Sequence, residues 1–176
     1  MRNALPGKEL EEMMKRPIPK KKVGVVRLQM ITERRLFYSV RHLTEPGAAV
    51  ELVKPLLDKA DREMLVVLSL NTKLEPLALE IAAVGGINAC MVDVRDVFKH
   101  ALLNNAAYVM CVHNHPSGSP EPSHSDTLMT KRMADGGTLL GIPLLDHIII
   151  GEAGYFSFRG NGQLMRSETD GPEYAA

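Results

Sequence analysis

The amino-acid sequence predicts an α/β fold in which a mixed β-sheet is flanked by helices. Three apolar runs have the length and composition of buried strands, namely MLVVLSL at 64–70, AAYVMCV at 106–112 and LLDHIII at 144–150. The segments between these runs carry apolar residues at helical spacing, and alternating strand and helix patterns are typical of a sheet covered by helices. Hydrophobic residues make up 45% and charged residues 24% of the 176-residue chain, which are values of a globular protein.

The first 43 residues are interpreted as a lead-in to the domain, because they are charged and interrupted by prolines. Apolar stretches at 23–30 and 36–40 predict a β-hairpin that turns near residues 32–35. The basic run KRPIPKKK at 15–22 is interpreted as a solvated segment, and a phosphate-binding arm is the alternative. No segment has the apolar core of a signal peptide or the roughly 20 apolar residues of a membrane span. We therefore expect a cytoplasmic protein without a membrane partner.

A first helix is predicted to begin at Thr44 or Glu45, where Pro46 suits the first turn. One face of this helix is apolar, and it consists of Ala49, Leu52, Val53, Leu56 and Leu57. The buried run at 64–70 follows it. The LALEIAAV run at 77–84 is expected to pair antiparallel with that strand.

A second helix is predicted to begin after Asp93, whose side chain suits an N-cap. Its apolar residues recur at helical spacing, and they are Val94, Val97, Phe98, Ala101 and Leu102. A third helix is predicted from Ser123, although the glycine pair at 136–137 is expected to weaken its C-terminal half. A short edge strand at 155–158 and a polar tail at 161–176 complete the prediction.

The stretch CVHNHPSGSPEPSHSD at 111–126 carries the residues most suited to chemistry. His113 and His115 are one residue apart, so an extended chain directs both imidazoles to the same side. Ser123 then opens the helical pattern, and Asp126 lies in its first turn. Two imidazoles and one carboxylate, with a fourth position left to water, are the ligands of a catalytic zinc site. Ser123 and Asp126 also fit a capping box, which is the alternative interpretation of this pair.

The spacing of the two histidines, the serine and the aspartate resembles the H-x-H-x7-S-x2-D signature of the JAB/MPN metalloproteases, the JAMM motif. Longer segments are similar to the RadC-type branch of that superfamily, namely HNHPSGSPEPSHSD at 113–126, GIPLLDHIIIG at 141–151 and DRE at 61–63. The resemblance extends from about residue 44 to residue 158. It implies the JAB/MPN fold, a cytidine-deaminase-like layered sandwich, for a domain at 44–160.

The resemblance also implies a role for each residue of the motif. His113, His115 and Asp126 are expected to bind Zn²⁺, whose coordinated water attacks the substrate. Glu63 matches the family's catalytic glutamate and is expected to act as the general base. Ser123 matches the serine that polarises the scissile carbonyl group and stabilises the oxyanion.

Several residues near the motif have alternative interpretations. Without the resemblance, Glu63 would be interpreted as a solvent-facing carboxylate at a strand end, and Glu75 and Glu80 are alternative bases. Asp146 is a candidate for orienting a zinc-bound imidazole, and packing at the strand end is an equal alternative. Asn114 and Ser117 are expected to hydrogen-bond either to the substrate or to the residues that surround the metal ligands. The remaining histidines near the motif, His124 and His147, are interpreted as structural.

The resemblance therefore implies a zinc-dependent hydrolase that cleaves a peptide or isopeptide bond in a peptide or protein substrate, for example one with a C-terminal tail. The alternative is a DNA-repair-associated RadC-like protein or a metal-dependent nuclease. The formal net charge of zero, from 21 basic and 21 acidic residues, disfavours a nucleic-acid partner, and residues 1–43 contain no helix-hairpin-helix pattern. A zinc deaminase is excluded because the sequence has neither His-x-Glu nor Pro-Cys-x-x-Cys. The sequence does not specify an oligomeric state.

Overall fold

A computed structural model describes residues 11, 15, 23–85 and 92–164 of the chain. The chain divides into two compact units, Met1–Thr32 and Glu33–Ala176, and the second contains the sheet. The elements of this second unit are α1 (Pro46–Leu57), β1 (Met64–Leu70), β2 (Pro76–Val84), α2 (Val94–Leu103), β3 (Tyr108–Asn114), α3 (His124–Leu140), β4 (Leu144–Ile150) and β5 (Tyr155–Ser157). No helix among the described residues is long and apolar enough to cross a membrane.

The strands form one mixed five-stranded sheet in the order β2-β1-β3-β4-β5. Strand β1 pairs antiparallel with both β2 and β3, and β4 pairs antiparallel with β5. Strands β3 and β4 are parallel, and helix α3 lies in the crossover connection that a parallel pair requires. This architecture confirms the predicted α/β fold with a mixed sheet and flanking helices.

Two apolar clusters cover the two faces of the sheet. Successive residues of a strand point to opposite faces, so each cluster takes every second residue of β1. Val66 and Leu68 pack with α1 on one face, whereas Leu65 and Val67 pack with α2 and α3 on the other. All four side chains are completely buried. Burial on both faces explains why the central strands are continuous apolar runs in the sequence.

The glycine pair in α3 has a different effect from the one predicted. The helix continues through Gly136 and Gly137 to Leu140 instead of weakening there. A Cβ atom on Gly136 would lie 2.7 Å from Cγ1 of Val94, and one on Gly137 would lie 2.7 Å from the carbonyl oxygen of Ile142. The two glycines therefore allow α2 and the start of β4 to approach α3 closely, and this packing compensates for their low helix propensity.

The β-hairpin predicted at 23–40 is not observed, because the described residues 23–42 contain no strand. The side chains of Val23, Val25 and Phe37 are 95%, 104% and 101% exposed. An apolar or alternating pattern forms a strand only when it has a partner strand and a surface to pack against.

Most of the basic run at 15–22 and residues 165–176 of the tail lie outside the described residues, and the predicted domain boundaries stay predictions.

Candidate metal centre

Three side chains from two adjacent elements converge at one end of the sheet. His113 is near the end of β3, His115 follows directly after it, and Asp126 is in the first turn of α3. The Nε2 atoms of His113 and His115 are 3.0 Å apart, and each lies 3.5 Å from a carboxylate oxygen of Asp126. Ligand atoms bound tetrahedrally to Zn²⁺ at about 2.0–2.1 Å are roughly 3.3 Å apart. The separations fit a single ion, and this His-His-Asp cluster could hold a metal ion.

The loop after β3 is tied to the end of β4, and this fixes the backbone of His115. The amide of His115 donates to the carbonyl oxygen of Ile150 at 2.9 Å, and the amide of Glu152 donates to that of Gly118 at 2.8 Å. A Cβ atom on Gly151 would lie 2.4 Å from the carbonyl oxygen of Gly118. Only a glycine at position 151 permits this approach, which accounts for the last residue of the GIPLLDHIIIG segment.

The hydrogen bond of His115 fixes which of its ring nitrogens is free. Its Nδ1 lies 2.8 Å from the carbonyl oxygen of Ser119. A carbonyl oxygen only accepts, so Nδ1 carries the proton and Nε2 offers a lone pair to the cluster. In the protonated ring Nε2 would donate a hydrogen bond to Asp126, and this bond and, more weakly, the negative charge of Glu63 raise the pKa of His115, although burial opposes the shift. Because its pKa is raised, protons compete with a metal ion for this ring as the pH falls.

Asp126 caps α3 and is also placed to bind a metal ion, so the two interpretations of this residue are compatible. Ser123 is the N-cap of α3, and the capping box with Asp126 is complete. The amide and the hydroxyl group of Ser123 both donate to Oδ2 of Asp126, at 2.7 and 2.5 Å. No residue in the described part of the chain donates a hydrogen bond to Oδ1, so this atom is available to a metal ion. Burial favours the neutral acid, but hydrogen bonds from Ser123 and from the protonated form of His115 hold the pKa of Asp126 well below its usual range.

His113 is the most buried of the three residues. Its side chain is 2% exposed, against 11% for His115 and 12% for Asp126. Burial lowers its pKa to about 4, despite the opposing effect of Asp126. The ring is therefore neutral at pH 7, which is the form that binds a metal. The cluster is closed on the His113 side and reaches solvent past the other two residues.

Glu63 precedes β1 and is half-buried. The negative charge of Glu63 contributes least among the effects that raise the pKa of His115, and Glu63 precedes β1 at the end of the sheet that carries the cluster. The pairing of Leu65 with His113 explains this placement, because it aligns the start of β1 with the end of β3. Of the alternative bases, Glu75 lies beyond the other end of β1, where Arg41 donates to it at 2.6 Å. Glu80 is in the middle of β2, opposite Val67.

Comparison with known proteins agrees with this geometry. Residues 43–163 match the family model described as "RadC-like JAB domain". The chain belongs to this family. Among its relatives, UPF0758 protein Mbar_A2303 of Methanosarcina barkeri is 43% identical over 122 residues, which are 69% of this chain and 53% of that protein. UPF0758 protein Lm4b_01560 of Listeria monocytogenes serotype 4b is 49% identical over 117 residues, which are 66% and 52% of the two chains. The chain thus spans about half the length of the curated relatives it matches.

In this RadC-like JAB domain the side chain of Asn114 supports the segment that carries Glu63. Its Oδ1 accepts from the amide of Met64 at 2.9 Å, and its Nδ2 donates to the carbonyl oxygen of Arg62 at 3.0 Å. The two bonds bracket Glu63 from both sides. The hydrogen bonds of Asn114 therefore go to the backbone beside Glu63, and a contact with the substrate stays a prediction.

We expect Asn114→Ala to lower the free energy of unfolding by about 1–3 kcal/mol, because it removes two part-buried hydrogen bonds to the backbone, each of which contributes roughly 0.5–1.5 kcal/mol. Zinc affinity should change little, since the side chain does not contact the cluster. Urea unfolding of metal-free protein and a zinc titration would measure the two effects separately. Asn104→Ala is a matched control, because Asn104 also donates to a backbone carbonyl, that of His100, but it does so at the end of α2. A zinc affinity that falls together with stability only in Asn114→Ala would contradict this separation.

The hydrogen bonds of Asp146 fit the packing alternative, whereas His147, interpreted from the sequence as structural, lies against His113. Asp146 accepts from the hydroxyl group of Ser157 at 2.5 Å and from the amide of Arg159 at 3.0 Å. It is His147 that contacts a ligand, with Nε2 2.8 Å from Nδ1 of His113. An irregularity at Leu145, where β4 slips against β3, sets which of the two residues shares the face of His113. Neither composition nor periodicity indicates such a bulge.

Proposed function

We propose that this RadC-like JAB domain is a zinc-dependent hydrolase of the JAMM type that cleaves a peptide or isopeptide bond. His113, His115 and Asp126 are the metal ligands, and Glu63 is the general base. The observation that carries the proposal is the convergence of two imidazole Nε2 atoms and a free carboxylate oxygen at the end of the sheet where Glu63 precedes β1. We further propose that the protein acts in the cytoplasm.

Each residue of the site would have a separate role in such a hydrolysis. A bound Zn²⁺ would supply Lewis acidity, lowering the pKa of water and polarising a carbonyl oxygen. Glu63 accepts the proton of the attacking water and returns it to the leaving nitrogen as the C–N bond breaks. His113, His115 and Asp126 supply three ligands and leave a fourth position open, which is the arrangement of catalytic zinc sites.

Ser123 is proposed to act on the carbonyl oxygen of the substrate. Its hydroxyl proton is donated to Asp126 in the structure, so a substrate oxygen would have to replace that acceptor. The hydroxyl group also accepts from the amide of Asp126 at 3.2 Å, which keeps the oxygen in position while the proton turns. Ser123 is exposed, so a substrate can reach it.

A screen of zinc-loaded protein against mixed peptides tests the proposal. The peptides should include linear ones and ones joined through a lysine ε-amino group, and mass spectrometry identifies the products. We expect cleavage that disappears with a chelator and is absent from Glu63→Gln prepared in parallel, which controls for contaminating proteases. Duplex and single-stranded DNA belong in the same screen. Cleavage of DNA without cleavage of any peptide would replace the proposal with the nuclease alternative.

A further inference from the structure

His147 lies behind His113 in the interior of the domain. It is completely buried, and its ring stacks on Phe158 with the ring centres 5.1 Å apart and the planes 4° from parallel. Its Nε2 is 2.8 Å from Nδ1 of His113, and its Nδ1 is 2.6 Å from the hydroxyl oxygen of Thr130. That hydroxyl oxygen lies 2.7 Å from the carbonyl oxygen of Asp126. An unbroken hydrogen-bonded chain therefore joins the backbone of one metal ligand to the side chain of another.

The order of the protons in this chain follows from the single proton of a hydroxyl group. The carbonyl oxygen of Asp126 only accepts, so the hydroxyl group of Thr130 donates to it. Nδ1 of His147 must then donate to the oxygen of Thr130. A neutral imidazole carries one proton, which leaves Nε2 of His147 as an acceptor. Nδ1 of His113 therefore carries a proton and donates it to Nε2 of His147. Nε2 of His113 is left with a free lone pair.

The reverse order has the opposite consequence. The first order leaves the Nε2 atoms of His113 and His115 facing each other at 3.0 Å with no proton between them, which suits a cation bound by both. If Thr130 donated to His147, two oxygens would face each other at 2.7 Å without a proton between them. His147 would then donate through Nε2 to Nδ1 of His113. The proton of His113 would move to Nε2, the atom that faces the cluster. A protonated Nε2 cannot bind a metal ion, so only the first order is compatible with the cluster.

We propose that Thr130 and His147 are positioning residues that set the tautomer of His113 and thereby present its Nε2 lone pair to the metal. This inference rests on the metal centre of the proposed function. Thr130 is 2% exposed and His147 is completely buried, so no solvent competes for their hydrogen bonds. His115 obtains the same tautomer from a carbonyl oxygen of its loop, so the two imidazole ligands are oriented by independent means. Such supporting contacts fix ring orientation and raise ligand basicity at metal sites.

The proton order can be measured without a metal. Long-range ¹H–¹⁵N correlation spectra distinguish protonated from unprotonated ring nitrogens, and metal-free protein at about pH 8 keeps these buried rings neutral. We expect the Nδ1–H form for both His113 and His147 in the wild-type protein. Thr130→Val keeps the shape of the side chain but removes the acceptor, so both rings should change to the Nε2–H form.

Zinc affinity, measured by competition with a chelator, provides the second readout. Thr130→Val should bind zinc about 10- to 100-fold more weakly, the usual cost of losing an outer partner of a metal ligand. Thr130→Ser restores the hydroxyl group and should restore both the tautomers and the affinity. Thr138→Val is the matched control, because Thr138 makes the same bond to the carbonyl oxygen four residues earlier but is exposed and contacts no histidine.

Each outcome distinguishes the proposed proton order along Thr130, His147 and His113 from the metal centre itself. If the wild-type protein binds zinc but His113 and His147 carry their protons on Nε2, the proposed proton order is wrong and the metal centre is unaffected. If Thr130→Val lowers the zinc affinity but does not change the tautomers of His113 and His147, the proposed proton order is also wrong. Thr130 would then have only a packing role. Absence of zinc binding in wild-type protein with Nδ1–H rings would overturn the metal centre and, with it, the role given to Thr130 and His147.

Discussion

Replacing Glu63 with glutamine should leave zinc binding intact and lower the rate of peptide cleavage by about 10²- to 10⁴-fold. Glutamine keeps the size of the side chain but cannot accept a proton near neutral pH, and this range is the usual contribution of a general base. The upper end is expected, because the same carboxylate also returns the proton to the leaving nitrogen. Asn114 holds the backbone on both sides of Glu63, so the substitution should not move the segment.

Glu75→Gln is a matched control for this experiment. Glu75 is also a carboxylate beside β1, but it lies at the opposite end of the strand and is paired with Arg41. The Glu75→Gln variant should therefore retain full activity in peptide cleavage. Loss of zinc from Glu63→Gln would mean that the glutamate is a fourth ligand and that the site is closed. Full activity with zinc retained would exclude Glu63 as the base.

Asp126→Asn should lose both zinc and activity. A neutral amide is a poor zinc ligand, and the change also removes the negative charge that stabilises a cation at this position. The affinity should fall by more than the roughly 10- to 100-fold that supporting residues contribute. Asp135→Asn, an exposed position on the same helix, controls for the change of charge. Zinc affinity equal to wild type in Asp126→Asn would leave Asp126 only the capping role.

The loss of charge at Asp126 should also appear in the dependence of stability on pH. Because the pKa of Asp126 is held below its usual value, the carboxylate contributes stability above the pKa of unfolded aspartate, near 4. That contribution disappears as the pH falls below this value. Metal-free Asp126→Asn should therefore be less stable than wild type at pH 7, and the difference should narrow in acid.

Periodicity in the sequence was sufficient for the fold class and for most of its elements. The buried strands are continuous apolar runs because helices cover both faces of the sheet, and the stripe from Val94 to Ala101 is the buried face of α2. The hairpin at 23–40 failed on the same criterion. Its residues have a strand-like composition, but their apolar side chains pack against no surface of the described residues and stay exposed.

The three residues of the candidate metal centre were accessible to sequence reasoning because they are close in the chain. His113, His115 and Asp126 span one strand end, one loop and one helix start, and local geometry alone brings them near each other. The contacts of His147 and Asn114 could not be predicted from the sequence, because their partners are distant in the chain. Asn114 contacts a residue 50 positions away, and His147 reaches His113 across 34 positions after a bulge has set its face. A buried histidine beside an apolar strand gives no sign of such a contact.

The metal content of purified protein tests the central claim most directly. We expect about one zinc ion per chain in the wild type and none in the His113→Ala plus His115→Ala double variant. The double variant should stay folded, because the sheet has apolar cores on both faces that do not depend on a metal, and circular dichroism would verify this. His124→Ala, which removes an exposed histidine beside the same loop, should keep its zinc. Equal zinc in the wild type and in a folded double variant would contradict the assignment of the metal centre.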